Sequence, residues 1–382
     1  MMNSFRPTYA DIHLKNLDFN LYSILDVAGK GRFVCPMIKA NAYGHGAVPV
    51  AQRILKNALL PLGVVLIEEA LELRSAGIGS EIIVFGGFDF HGARQIIDAK
   101  LTAVVNQFEQ LEFLNQLVTD SIDIHIKFNT GMNRLGFNST DVDQVILFLK
   151  NHPKIKVKAI LSHLHSSQLS YQENSTSAQQ ALLMLKIIEQ FKEFGVHAHL
   201  LNSDAIANLA QVKNHPLHFL NQYNWGFRPG IMLYGYRTQD IPSPMIVKPV
   251  MSLKSSIAEV RHIKKGEVVS YDGTWVADRD SSVAIAPIGY ADGVHRLLSH
   301  RAKVFVKNKK VPMIGRICMD FLMLDVTEIV SLDLKNSEVI FFDDLSQGAD
   351  VLAKAAETIS YEILTSVSSR VPRRYIESGG PL

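Results

Sequence analysis

Cysteine is nearly absent from this chain. Of its 382 residues only Cys35 and Cys318 carry a thiol, and neither lies in a Cys-x-x-Cys spacing. That speaks against a disulfide framework or a zinc site and fits a reducing compartment. No uninterrupted apolar stretch approaches the roughly 20 residues that cross a bilayer. The opening Met1-Met2-Asn3-Ser4-Phe5-Arg6 lacks the apolar run of a secretory signal. Excess charge is missing as well: 39 Lys and Arg against 37 Asp and Glu leave a formal +2, which argues against a nucleic-acid partner. The short basic clusters Lys264-Lys265 and Lys307-Asn308-Lys309-Lys310 read as solvated turns. No Gly-x-Gly-x-x-Gly fingerprint follows the first apolar run. The expectation is a soluble, cytoplasmic protein that binds neither membrane nor nucleic acid.

What is present is a hydrophobic share of 47%, enough for one large core and a second domain. Between residues 33 and 240, short β-rich runs alternate with amphipathic stretches. The runs are Phe33–Ile38, Leu62–Ile67, Ile82–Phe85, Leu101–Val105, Ile122–Phe128, Val157–Leu164, His197–Leu201 and Phe227–Tyr234. Glu68–Ser75, Asp141–Asn151 and Ala178–Phe194 carry apolar residues at helical spacing. Eight units of roughly 25 residues predict an α/β fold, a (β/α)8 TIM-like barrel, over residues 1–240. A doubly wound open sheet is the alternative. From residue 241 to 382 short alternating strands such as Ala302–Val306 and Val311–Ile314 predict a C-terminal, mainly β domain. Helical periodicity returns there only at Ala349–Thr358.

Barrel active sites gather at the C-terminal ends of the strands, with a phosphate often near the last two loops. The first run ends in Lys39, followed by small residues and glycines that let a ligand approach. Its amine could form a Schiff base once deprotonated, which burial and nearby cations favour. The seventh loop reads Asn202-Ser203-Asp204, a helix start able to receive a phosphate. The eighth brings Arg228-Pro229-Gly230-Ile231, where glycine permits close approach. Singly, Lys39 would be an ordinary solvated lysine and Asn202 a plain N-cap. Their coincidence at the positions expected for phosphate points further than either alone.

The block Ile38-Lys39-Ala40-Asn41-Ala42-Tyr43-Gly44-His45-Gly46 resembles the cofactor-lysine signature of alanine racemases. The resemblance continues through Lys127–Gly136, Arg228–Gly235, Val269-Ser270-Tyr271, Ile288–Gly293, Gly315–Asp320 and Arg370–Arg373, in the family's order. It implies a barrel joined to a β domain and a homodimer whose sites the partner's C-terminal domain completes. It also implies a pyridoxal 5'-phosphate-dependent isomerase that interconverts L- and D-alanine by two bases and supplies D-alanine for bacterial peptidoglycan.

By the same resemblance, Lys39 is the Schiff-base lysine and the base for one face of the substrate. Tyr271, from the second subunit, serves the other, since racemisation needs proton exchange on both faces of Cα. Arg228 faces the pyridine nitrogen, where a guanidinium can only donate. His163 and His199 connect that arginine towards the tyrosine. Tyr43, Ser203, Gly230, Ile231 and Tyr361 form the phosphate set, beside Asn202. Arg134 meets the cofactor's phenolic oxygen and the substrate carboxylate, which suits a planar fork of donors. Met319 contacts that carboxylate, Tyr290 lies at the entrance and Asp320 is a supporting residue. Lys127 matches a lysine that is carbamylated in many members. No metal is expected.

Asn129 stands where an aspartate is common, and Leu164–Gln168 and Phe321 also depart from the family pattern. These departures leave room for a racemase of broader choice, acting for instance on serine. A barrel that only stores pyridoxal phosphate is a further alternative, against which the C-terminal domain with Tyr271 counts.

Overall fold

The computed structural model describes residues 5–237, 243–330 and 333–377. The start of the chain, Met1–Ser4, and the domain boundary expected at residues 240 and 241 therefore lie outside the described residues.

Seven parallel strands follow one another in sequence order round a curled sheet: Leu62–Val64, Ile82–Val84, Thr102–Val105, Ile122–Lys127, Ile155–Leu161, His197–Leu201 and Gly226–Phe227. Phe33–Ile38, expected as the first strand, is not a regular one because Pro36 has no N–H to donate. It still bonds to both open edges. Cys35 N and Met37 N donate to Phe227 O and Pro229 O, each at 2.9 Å, and Ile38 N donates to Gly63 O at 2.8 Å. On that side Pro36 contributes its carbonyl, which accepts from Gly63 N at 2.9 Å. The segment is thus the eighth stave that closes the barrel.

The eighth expected strand, Phe227–Tyr234, is corrected to Gly226–Phe227 alone. Pro229 and Gly230 break the ladder, and Ile231–Tyr234 coil into a 3-10 turn. No long helix follows that turn among the described residues. The N-terminal helix Leu14–Ala28 packs against it instead, between helices Ala47–Asn57 and Ser203–Gln211. Leu14, Leu17, Leu21, Ile24 and Ala28 are buried at three- and four-residue steps, which puts one apolar stripe against the barrel.

The second sheet has nine strands and begins with the N-terminus. Tyr9–His13 runs antiparallel to Met251–Ser256 on one side and parallel to Arg373–Ile376 on the other. Lys303–Val306 and Lys309–Ile314 form a hairpin whose two turn residues, Lys307 and Asn308, both have positive φ (47° and 61°). That is the backbone of a tight primed turn, whose twist suits paired strands. The helix expected at Ala349–Thr358 ends at Ala355, and Glu357 turns the chain with φ 56°. A second short helix, Ser360–Ser366, then carries Tyr361 back to the barrel.

Candidate active site

At the C-terminal ends of the barrel strands is a cavity of about 390 Å³. Lys39 and Tyr43 line it from the first stave, and Lys127, Arg134 and His163 from the fifth and sixth and the loops after them. Asn202, Ser203, Arg228 and Gly230 line it from the last two staves, and Tyr361 reaches it from the C-terminal domain. Ile231, the remaining barrel residue of the expected phosphate set, packs into the core beside Gly230 and is 1% exposed.

Lys39 opens an unusual turn. Ala40, Asn41, Ala42 and Tyr43 all take left-handed conformations, with φ between 50° and 53°. Such a conformation costs an L-residue roughly 1–2 kcal/mol, so it persists only where surroundings impose it. Here Glu69 accepts from Ala40 N at 2.5 Å, and Asn41 Oδ1 accepts from Ala47 N at 2.7 Å. Ala42 N also donates back to Ile38 O at 2.8 Å. Glu69 was not singled out from the sequence, where it falls inside the helical stretch Glu68–Ser75.

Across the cavity, Ser203 Oγ accepts from Gly230 N at 3.1 Å and Met232 N at 3.3 Å. A Cβ on Gly230 would lie 2.4 Å from Tyr43 Oη, so only glycine leaves room for that phenol. The Tyr43 ring packs on Tyr234 and Tyr361, with centres 4.8 and 5.9 Å apart. The Asn202 side chain caps its helix by accepting from Ala205 N at 3.3 Å.

Charge is the plainest feature of the cavity. Four cationic side chains, Lys39, Lys127, Arg134 and Arg228, line it, and among the described residues no Asp or Glu does. Burial lowers the Lys39 pKa, with a further push from Arg134 and a partial offset from Glu69. Lys127 is lowered to about 8, first by burial and then by Arg228, Arg134 and Lys39. His163 is lowered to about 3 by burial and the same four cations, so it is neutral. Such a pocket calls for an anion.

Arg228 is almost completely engaged by the barrel wall. Nη1 donates to His199 Nδ1 at 2.7 Å and His199 O at 2.5 Å; Nη2 donates to Ser162 O at 2.6 Å and approaches Leu200 O and His163 Nδ1 at 3.4 and 3.5 Å. Nε–H has no hydrogen-bond partner among the described residues.

The path expected from Arg228 towards Tyr271 runs through His163 and His199, and His163 Nδ1 approaches Arg228 Nη2 at 3.5 Å. His199 leads the other way, with Nε2 at 3.0 Å from His125 Nδ1 deep in the barrel. His125 was missed, although the alternation Asp123, His125, Lys127 against Ile122, Ile124, Ile126 marks polar residues on one face of a strand. Also missed was Gln180, whose amide donates to His163 O at 3.0 Å and accepts from His165 N at 3.1 Å. Asn129 accepts from Gly131 N and Asn133 N at 3.1 and 2.9 Å, shaping the loop before Arg134 without adding a charge.

Tyr271, Tyr290, Met319 and Asp320 do not line the cavity of their own chain. They gather on the second sheet's surface, where Tyr271, Tyr290 and Met319 are 67%, 43% and 52% exposed. Tyr271 stands between two left-handed residues, Ser270 and Asp272, with φ 67° and 62°. Arg316 ties both flanks, accepting from Ser270 Oγ at 2.6 Å and pairing with Asp272 at 2.6 Å. Ser270 Oγ also lies 3.5 Å from Cys318 Sγ, and Cys318 O accepts from Tyr290 N at 3.0 Å. Asp320 pairs with Arg370 at 2.6 Å.

Two family models, described as "Alanine racemase, N-terminal domain" and "Alanine racemase, C-terminal domain", match residues 12–238 and 250–375. A relative named "Alanine racemase 2", from Caldanaerobacter subterraneus subsp. tengcongensis, is 32% identical over 99% of this chain and 97% of its own length. An "Alanine racemase" from Sorangium cellulosum is 36% identical over 97% of this chain and its own full length (100%). Among solved structures, an alanine racemase of Clostridium difficile 630 superposes with a TM-score of 0.89 at 30% identity, covering 98% of this chain and 97% of that one.

Proposed function

The chain belongs to the alanine racemase family of isomerases, and on that premise we propose that it interconverts L- and D-alanine with pyridoxal 5'-phosphate held at Lys39. The observation that carries this is the cavity with four cations, no carboxylate and a lysine of lowered pKa at its mouth. The residues fit the group: Ser203, Tyr43 and the Gly230 cradle would hold a dianionic phosphate, with Asn202, Ile231 and Tyr361 around them. Lys39 would offer its aldehyde an amine that loses its proton readily.

When bound, the cofactor supplies an electron sink for the charge left as Cα loses its proton. The protein's part is to bind, orient and move that proton. Arg134 receives the substrate carboxylate. Arg228, a donor only, would offer its free Nε–H to the pyridine nitrogen and leave it unprotonated, which would weaken the sink and disfavour transamination. The Lys39 amine takes or returns the proton on one face of Cα. Tyr271 of the partner subunit does so on the other, with Met319, Tyr290 and Asp320 beside it at the entrance. This division explains why Tyr271 stands exposed on its own chain, held firmly at both flanks. Lys127, buried among cations, gains from carbamylation, which would turn its positive charge into a negative one.

No described helix is long and apolar enough to cross a membrane. The D-alanine formed would serve peptidoglycan assembly, for which a cytoplasmic enzyme is the reading carried forward from the sequence. The test is conversion of L-alanine to D-alanine by purified protein, with and without added cofactor. Racemisation that requires the cofactor is expected, and none with alanine would overturn the reading. A panel of L-amino acids including serine then sets the range.

A further inference from the structure

Three imidazoles sit in the barrel beneath the cavity. His199 is fully buried and engaged at both ring nitrogens, by Arg228 Nη1 at 2.7 Å and by His125 Nδ1 at 3.0 Å. The Phe33 ring packs against His199 and His197, with centres 5.0 and 4.5 Å away. His125 and His197 also line a second cavity, of about 1070 Å³, at the N-terminal ends of the strands.

Chemistry forces the direction of this chain. A guanidinium has donors only, so the His199 Nδ1 that faces it must be bare. A neutral imidazole keeps one proton, which is then on Nε2 and is donated to His125 Nδ1. His125 Nδ1 must be bare in turn, and its own proton sits on Nε2. A second proton on either ring would set donor against donor all the way to Arg228. Burial holds His125 at about 3 and His199 well below its usual value, so that state is suppressed at ordinary pH.

We propose that His125 is a positioning residue for the reaction: by accepting from His199 it locks that ring with Nδ1 towards Arg228, and so holds the guanidinium with Nε–H left for the ligand. The remaining partners of Arg228 are mostly backbone carbonyls, which accept over a broad range of angles. The lone pair of Nδ1 is single and lies in the ring plane, so it fixes direction as they do not. Without His125 the buried Nε2–H of His199 has no acceptor, and a half-turn of the ring puts a C–H opposite Arg228. The inference rests on the role proposed above for Arg228.

The test combines variants with a spectroscopic readout. In ¹⁵N-histidine-labelled protein carrying its cofactor, His199 should show a bare Nδ1 and a protonated Nε2; the reverse pattern, or a doubly protonated ring, overturns the proposal. His125→Leu should lower kcat by about 10- to 100-fold, the loss a small misplacement near the chemistry brings, with KM little changed. His125→Asn, whose Oδ1 can stand where Nδ1 stood, should restore most of it. In an Arg228→Lys background His125→Leu should add little, because it acts only through the arginine. Unchanged kcat in His125→Leu, or full additivity with Arg228→Lys, would also overturn it. If the protein racemises nothing, the functional reading fails, while the nitrogen shifts still decide the lock.

Discussion

Lys39 Nζ lies 5.9 Å from the centre of the Tyr43 ring, at the two ends of one left-handed turn. Residues four apart share a helix face, so the amine and the phenol address the same cavity. The purified protein should therefore be yellow, and borohydride should fix the cofactor to Lys39. Lys127 is the competitor, since it lines the same cavity with a pKa of about 8. Peptide mapping that finds the label there would refute the assignment.

The Gly230 cradle gives a second expectation. Gly230→Ala needs no unusual φ but drives Cβ to 2.4 Å from Tyr43 Oη, and Tyr43 is pinned against Tyr234. Cofactor affinity should fall by about 10- to 100-fold, equivalent to roughly 1.4–2.8 kcal/mol, with the fold retained by circular dichroism. Wild-type affinity in a titration would show that the phosphate lies elsewhere.

Tyr271→Phe should keep cofactor binding yet lose racemisation by about 100- to 10,000-fold, the usual range for a general base. Deuterium wash-in at Cα, run separately from each enantiomer, checks this. Exchange should be lost mainly with one enantiomer, the one whose α-proton faces Tyr271. Wild-type exchange from both would mean that Tyr271 is not a base.

Assembly can be tested by mixing. A Lys39→Ala chain and a Tyr271→Phe chain should each be nearly inactive alone. If sites are shared, a hybrid dimer carries one doubly damaged site and one intact site, so activity should return on subunit exchange. Exchange demonstrated by mass, with no activity recovered, would show that each chain builds its own site.

Lys127 predicts a pH dependence. Its pKa is about 8 in the fold against an ordinary 10.5. Below pH 8 it is charged in both folded and unfolded chains, and the folded state bears the full penalty. Between about pH 8 and 10.5 the folded chain releases the proton while the unfolded chain keeps it, so stability rises with pH. Cofactor-free Lys127→Met should thus be the more stable protein near pH 7, by roughly 3 kcal/mol at most. The gap in denaturant midpoints should close as the pH approaches 10.5. A gap independent of pH would mean that Lys127 is uncharged or paired.

Much of this was legible in the sequence because barrel strands and their loops are local. Phe33–Ile38 could be read as a stave despite Pro36, since its apolar pattern survives the missing N–H. Phe227–Tyr234 could not be read correctly, because its apolar run hides the break at Pro229 and Gly230. That Leu14–Ala28 takes the eighth helix's place depends on packing between residues some 200 apart, which periodicity does not report. The motif residues of the barrel converge in the cavity while those of the C-terminal domain stand on its surface, but Glu69 and Gln180 act through backbone atoms, and no side-chain motif announces such partners. His125 did leave a trace, in alternation along one strand.

Tyr9–His13 is paired on both edges by strands from the far end of the chain. A fragment cut near residue 240 would retain the helix that completes the barrel and strip that strand of both neighbours. Its bare N–H and C=O groups, backed by the buried Ala10 and Ile12, would form a sticky edge of the kind that templates aggregation. Half-molecules of this protein should be insoluble, and a soluble barrel would have to begin at Leu14.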